Sequence, residues 1–123
     1  MSLPSTLVVD DDATIANALR SALGNHKVSV TIAPDAATAK QLLSKEQFCG
    51  IVLDLMLEGS NGRDVLDYLA AEHMNIPTVV VSQRLPPSVR ESLDEEQVKL
   101  CFAKPIEPRL LATIVLSLCG VET

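Results

Sequence analysis

Five side chains of this sequence stand where apolar, largely β-branched runs stop. Val8-Val9 runs into Asp10 and Asp11, Ile51-Val52-Leu53 into Asp54, Val79-Val80-Val81 into Ser82, and Phe102-Ala103 into Lys104. Short runs of this kind favour buried strands over helices. Each group is therefore expected at the C-terminal edge of a strand, the edge where open α/β sheets bind ligands. Three carboxylates drawn together repel one another unless a cation neutralises them. An all-oxygen set with no thiol or imidazole suits a hard ion that keeps several waters, which points to Mg2+. Lys104 adds an ammonium that can hold an anion's oxygens, and Ser82 adds a hydroxyl. A cation, an ammonium and a hydroxyl around Asp54 are what phosphoryl transfer onto that carboxylate requires, because catalysis of that step is mostly positioning and charge stabilisation. Each residue alone reads more simply as a polar strand end. The joint placement carries the chemistry.

The elements that must position these groups alternate along the chain. Thr6-Leu7-Val8-Val9 predicts a first strand. The apolar residues Ile15, Ala18, Leu19, Ala22 and Leu23 then form a helical stripe, with Asp12 as N-cap and Gly24 as stop. Val28-Ser29-Val30-Thr31-Ile32 alternates strictly, as a half-buried edge strand does. Pro34-Asp35 opens a second helix with Ala36, Ala39, Leu42 and Leu43 on one face. The Asp54 strand follows, then turn residues, then a third helix from Gly62 to about Glu72 with Val65, Leu66 and Leu69 inward. Pro77 to Ser82 is a fourth strand, apolar enough to be buried on both faces. A short fourth helix can start at Ser88, anchored only by Val89 and Leu93. Val98 to Ala103 is a fifth strand ending at Lys104-Pro105, and Pro108 to Leu118 a fifth helix. Strands alternating with helices imply a parallel sheet covered on both faces. Right-handed crossovers and the edge-like second strand fit the order 2-1-3-4-5, that of flavodoxin-like, doubly wound (βα)5 sandwiches.

Composition narrows the function classes. At 123 residues the chain is expected to be one domain, 1–123, with a proper core. Phe48, Tyr68 and Phe102 are the only aromatics, so that core must be built from Val, Ile, Leu and Ala. A formal charge of −6 with no basic run argues against direct nucleic-acid binding. No apolar stretch approaches a membrane span and no signal-peptide pattern is present, so a cytoplasmic location is expected. Cys49, Cys101 and Cys119 are odd in number, far apart and without a C-x-x-C spacing, which predicts reduced thiols serving as small core residues. His26 and His73 have no metal-like spacing and are assigned to the surface.

Together these motifs resemble the receiver domain of two-component response regulators. The matching pieces are Val8-Val9-Asp10-Asp11-Asp12, Val52-Leu53-Asp54-Leu55-Met56-Leu57, Gly62, Val80-Val81-Ser82 and Ala103-Lys104-Pro105, in order over essentially the whole chain. The resemblance implies a signalling domain rather than an enzyme with a separate substrate. It implies that Asp54 is the phosphoacceptor, supplied from a phosphohistidine on a histidine kinase or phosphotransfer protein. It implies that Asp11, Asp54 and the Met56 backbone carbonyl ligate Mg2+, with Asp10 acting directly or through water. Ser82 and Lys104 would hold phosphoryl oxygens, and the Lys104-Pro105 bond would be a candidate cis peptide. An output module outside this chain and a homodimer are both compatible with it.

Several positions depart from the family pattern. Glu58 stands where a proline is frequent, Gln83 follows Ser82 where a small residue is usual, and Cys101 occupies the position of the family's switch aromatic. Two other readings compete. Asp10-x-Asp12-x-Thr14 fits the first motif of haloacid-dehalogenase-like phosphatases, with Asp10 as nucleophile and Asp12 as acid/base. That reading lacks an acidic motif after Lys104, since no Asp follows Asp94, and it leaves Asp54 idle. A degenerate receiver used only for docking is favoured by Cys101 and opposed by the complete acidic set.

Overall fold

The computed structural model describes residues 3–24 and 27–121. His26 lies outside them. The elements are β1 (Ser5–Val9), α1 (Thr14–Leu23), β2 (Ser29–Ala33), α2 (Ala36–Lys45), β3 (Gly50–Leu53), β4 (Met56–Leu57), β5 (Ser60–Asn61), α3 (Arg63–Ala71), β6 (Thr78–Ser82), α4 (Pro87–Glu91), β7 (Val98–Ala103) and α5 (Pro108–Leu118). Five strands form one parallel sheet in the order β2-β1-β3-β6-β7. Counting sheet strands alone, this is the expected 2-1-3-4-5 order of a flavodoxin-like sandwich. β4 and β5 pair with each other as a small antiparallel hairpin outside the sheet.

Period-2 alternation decides which helix each strand residue meets. Leu7, Val9, Ile51, Leu53 and Val80 join the apolar layer that contains α2 and α3. Val8, Val52, Val79 and Val81 join the opposite layer, with Leu19 and Leu23 of α1 and Leu111 and Val115 of α5. All of β6 is buried, whereas β2 is only partly so and half of β7 is exposed, as edges are. Among the described residues no helix is long and apolar enough to cross a membrane.

The helix ends refine the sequence reading. Gly24 stops α1 at φ 54°, its N–H returning to the Arg20 carbonyl. Asp35 caps α2 by accepting from the Thr38 N–H. Asp12 is not the N-cap of α1; that position is Ala13. Its carboxylate instead accepts from the Thr14 N–H and hydroxyl, an Asx-type turn that starts the helix one residue later. α4 is only five residues long and buries none of them. Arg63 holds it from α3, its guanidinium donating to the Val89 carbonyl and the Ser92 hydroxyl.

The cysteines correct the composition argument. Cys101 is the one free thiol, while Cys49 and Cys119 are joined as a disulfide. They are 70 residues apart in sequence, which hides the pairing. The fold removes that distance: α5 runs back along the sheet, and its last turn lies over the start of β3, with the two Cα atoms 4.8 Å apart. A Cβ on Gly50 would stand 3.3 Å from the Leu118 Cβ, so this end of α5 rests directly on the strand. His73 is exposed, as expected.

Cross-linking so long a loop restricts the unfolded chain, worth about 2–4 kcal/mol for typical native bridges. Thiol titration of the unfolded, unreduced protein should find one free thiol, rising to three after reduction. Reduction should then lower the urea midpoint by an amount matching that energy. An unchanged midpoint after complete reduction would show that the bond adds nothing to the fold.

Candidate functional site

The C-terminal edge of the sheet gathers the predicted residues because the ladder continues one step past the strands. The Asp10 N–H donates to the Ala33 carbonyl at 3.0 Å, the Asp54 N–H to Val9 at 2.9 Å, and the Lys104 N–H to Ser82 at 2.8 Å. Those bonds fix the backbone of three site residues before any side chain acts. The Lys104-Pro105 peptide is cis.

Lys104 lies between two buried carboxylates. Its Nζ is 2.8 Å from Asp10 Oδ2 and 2.8 Å from Asp54 Oδ2. The other Asp54 oxygen, Oδ1, accepts from the Ser82 hydroxyl and the Met56 N–H, both at 2.9 Å. Asp10 Oδ1 accepts from the Asp12 N–H at 2.9 Å. Asp10 and Asp54 are 2% and 4% exposed, so their charge is compensated by hydrogen bonds and the ammonium rather than by bulk water. Asp11 is exposed, and its Oδ2 accepts from the Glu58 N–H at 2.8 Å. One carboxylate oxygen from each of Asp10, Asp11 and Asp54 lies within 4.8 Å of the others. Three hard oxygen donors that close together match the donor set of a hydrated divalent ion.

The electrostatics follow from burial. Burial pushes the Asp10 carboxyl up from the usual carboxylate range, against hydrogen bonds from Lys104 and Asp12 that pull it down; Asp54 also pushes it up. Burial alone would lower the Lys104 ammonium, but hydrogen bonds to Asp10 and Asp54 outweigh it and raise its pKa. Lys104 therefore stays charged at neutral pH. Asp12 is held below the usual range by the Thr14 hydroxyl and N–H, and its exposed side chain is engaged there. This commits it to the Asx turn ahead of α1 and weakens the phosphatase reading.

The loop that carries the acceptor is held by close packing and local bonds. A Cβ at Gly62 would lie 2.2 Å from the Asp54 carbonyl oxygen and 2.7 Å from the Leu55 Cα, so only glycine fits against this backbone. Its N–H donates to the Leu55 carbonyl at 3.1 Å. Asn61 Oδ1 accepts from the Arg63 N–H at 2.9 Å and starts α3. The Ala36 N–H donates to the Ser60 hydroxyl at 3.3 Å, tying the hairpin to α2. Leu55 and Leu57 point into the core, while Met56 is 52% exposed.

Sequence reasoning selected every member of the cluster and assigned Lys104 only to an anion. The structure adds its bridge between Asp10 and Asp54. It also adds the Glu58 N–H on Asp11 and the steric need for Gly62. The sequence signals for these were Gly62 itself, one of the pieces of the resemblance, and Glu58, which keeps an N–H that a proline would lack. Cys101 packs against the α2–α3 layer, as do Leu85, Val89 and Leu93, and Phe102 joins the opposite layer, as alternation requires.

Comparison with known proteins agrees with this geometry. The response regulator receiver domain profile matches residues 6–116. Protein PetR of Rhodobacter capsulatus is 35% identical over 112 residues, covering 89% of this chain and 46% of PetR. Response regulator protein PilR of Pseudomonas aeruginosa is 29% identical over 82 residues, covering 67% of this chain and 18% of PilR. The chain thus spans less than half the length of these relatives. In fold, a signal receiver domain from Vibrio parahaemolyticus superposes with a TM-score of 0.87 at 20% identity, over 96% of this chain and 91% of the other. A CheY-like receiver domain from Methanospirillum hungatei gives 0.82 at 23% identity, over 97% and 96%.

Two predictions follow from the geometry. Gly62→Ala forces backbone to move and should cost at least about 2 kcal/mol in urea unfolding, at the upper end of overpacking effects; an unchanged midpoint would mean that the loop yields freely. The second concerns pH. A carboxyl whose folded pKa is raised stabilises the fold fully below about pH 4, the ordinary carboxylate value, and loses that contribution as pH rises through the folded pKa. In EDTA, the stability of the parent relative to Asp10→Asn should therefore fall as pH rises above about 4. A difference that stays flat or grows would contradict the raised pKa.

Proposed function

The chain belongs to the response regulator receiver domain family, and from that premise we propose that residues 1–123 form the phosphoacceptor unit of a two-component phosphorelay, with Asp54 as acceptor. The observation that carries this reading is the environment of Asp54. Its two oxygens accept from a hydroxyl and an ammonium, and two further carboxylates stand within 4.8 Å. In the proposed step an Asp54 oxygen attacks the phosphorus of a phosphohistidine. The P–N bond breaks, its electron pair returns to the imidazole nitrogen, and an acyl phosphate forms on Asp54. Asp10, Asp11, Asp54 and the Met56 carbonyl would hold Mg2+, which when bound supplies positive charge against the phosphoryl oxygens.

The chain's own residues do the rest. Lys104 now neutralises Asp54 and Ser82 donates to it, and each needs only to turn its donor from the carboxylate to a phosphoryl oxygen. Ser82 is fully buried, so its hydroxyl can follow the phosphoryl group without competition from bulk water. Burial of Asp54 limits access by solvent, which favours persistence of the acyl phosphate. The partner is a sensor histidine kinase or phosphotransfer protein, and the role implies a cytoplasmic setting. There the Cys49–Cys119 bond is exposed to a reducing thiol pool. The relatives' greater length supports an output module elsewhere in the full protein. With Cys101 at the switch position, the phosphorylated state is read through α4, which buries no residue of its own and is held by Arg63 and the partly buried Val89.

The test uses acetyl phosphate as a small phosphodonor. Intact mass should show one added phosphoryl group with Mg2+, none with EDTA, and none in Asp54→Asn. Labelling retained in that variant would move the acceptor elsewhere, with Asp10 the next candidate.

A further inference from the structure

We infer that the backbone N–H of Glu58 is a positioning donor for the cation site: it holds one oxygen of Asp11 and leaves the other for the ion. The inference rests on the Mg2+ reading above and goes beyond it in assigning a group that is not itself a ligand.

The three carboxylates are not held alike. Asp10 and Asp54 are buried, each accepts a backbone N–H, and both share the Lys104 ammonium. Asp11 is exposed, and among the described residues its carboxylate accepts a single hydrogen bond, from the Glu58 N–H at 2.8 Å. Without that bond, repulsion from Asp10 and Asp54 would turn an exposed carboxylate out toward water. With it, Asp11 is kept near the cluster by a charge-assisted bond that uses only Oδ2. A carboxylate has further lone pairs, so Oδ1 stays available. The cation then meets a ligand already oriented, and less ordering entropy is lost when it binds.

The donor sits 47 residues from its acceptor, and the hairpin puts it there. Leu57 pairs with Ser60, so Glu58-Gly59 is a two-residue loop. Gly59 has φ 74°, and among the described residues His73 is the only non-glycine with positive φ, so Glu58 has negative φ. A turn with positive φ only at its third residue accepts proline at the second. Leu57, the residue before it, is in a strand, the conformation that precedes proline most readily. Glu58→Pro therefore keeps the turn and deletes one N–H, and its ring Cδ takes the space of the Asp11 oxygen.

The probe is Mg2+ alone, titrated into metal-free protein and followed by amide shifts at Asp11 and Asp54. Glu58→Pro should bind Mg2+ at least about 10-fold more weakly, the range of a hydrogen bond to a charged group. Glu58→Ala, which keeps the N–H, should bind as the parent does. Metal-free Glu58→Pro should be at least as stable to urea as the parent, because proline restricts the unfolded chain. A second measurement needs no proline. In the metal-free parent the Glu58 amide proton should resonate downfield and exchange slowly, and Asp11→Ala should abolish both. Equal or tighter Mg2+ binding by Glu58→Pro, equal weakening in Glu58→Ala, or a Glu58 amide indifferent to Asp11→Ala would each overturn the inference and leave the Mg2+ reading standing. A parent that does not bind Mg2+ would overturn both.

Discussion

One ammonium makes the rest of this edge affordable. Lys104 lies 2.8 Å from each of two almost fully buried carboxylates, at the junction of β1, β3 and β7. Two carboxylates without water would otherwise repel each other. With Lys104 between them, Asp54 stays close to Ser82 and Asp10 stays close to the position a cation would need. The same contact ties the last strand of the sheet to its centre. The side-chain bridge and the backbone bond from Lys104 to Ser82 are thus two parts of one arrangement.

The two ends of the sheet are built for different purposes. At the C-terminal edge the groups are polar, the loops approach closely and the packing is unforgiving where Gly62 meets the Asp54 backbone. At the opposite edge the Cys49–Cys119 bond fastens α5 to the start of β3. Stability is placed away from the chemistry. The loops at the site can then respond to charge without risking the sheet.

On the β7 side the constraint is looser. β7 is an edge strand with Leu100 exposed, and α4 is held by the Arg63 guanidinium and the partly buried Val89 rather than by a buried face of its own. An element with so few buried contacts has little free energy opposing displacement.

The sequence by itself determined the alternation of strands and helices, the sheet order and every polar member of the cluster. The strands and helices are local: a β-branched run ending on Asp10, Asp54 or Ser82 declares a strand and its edge, and helical spacing declares α1, α2, α3 and α5; the sheet order follows from them through the right-handed crossover rule. Two local details escaped it. Asp12 lies one residue outside the cap of α1, because its side chain closes an Asx turn with Thr14, and β2 runs one residue later than its alternation suggests, ending on the Ala33 carbonyl that receives the Asp10 N–H. Only the tertiary structure decided that Cys49 meets Cys119, that Glu58 donates to Asp11, that Gly62 lies against the Asp54 backbone, and that Lys104 joins Asp10 to Asp54. In each case the partners are separated by many residues or by a turn whose shape depends on its surroundings. Residue type states what a group can bond to. Which partner lies within 3 Å is set by crossover packing, which no local pattern records.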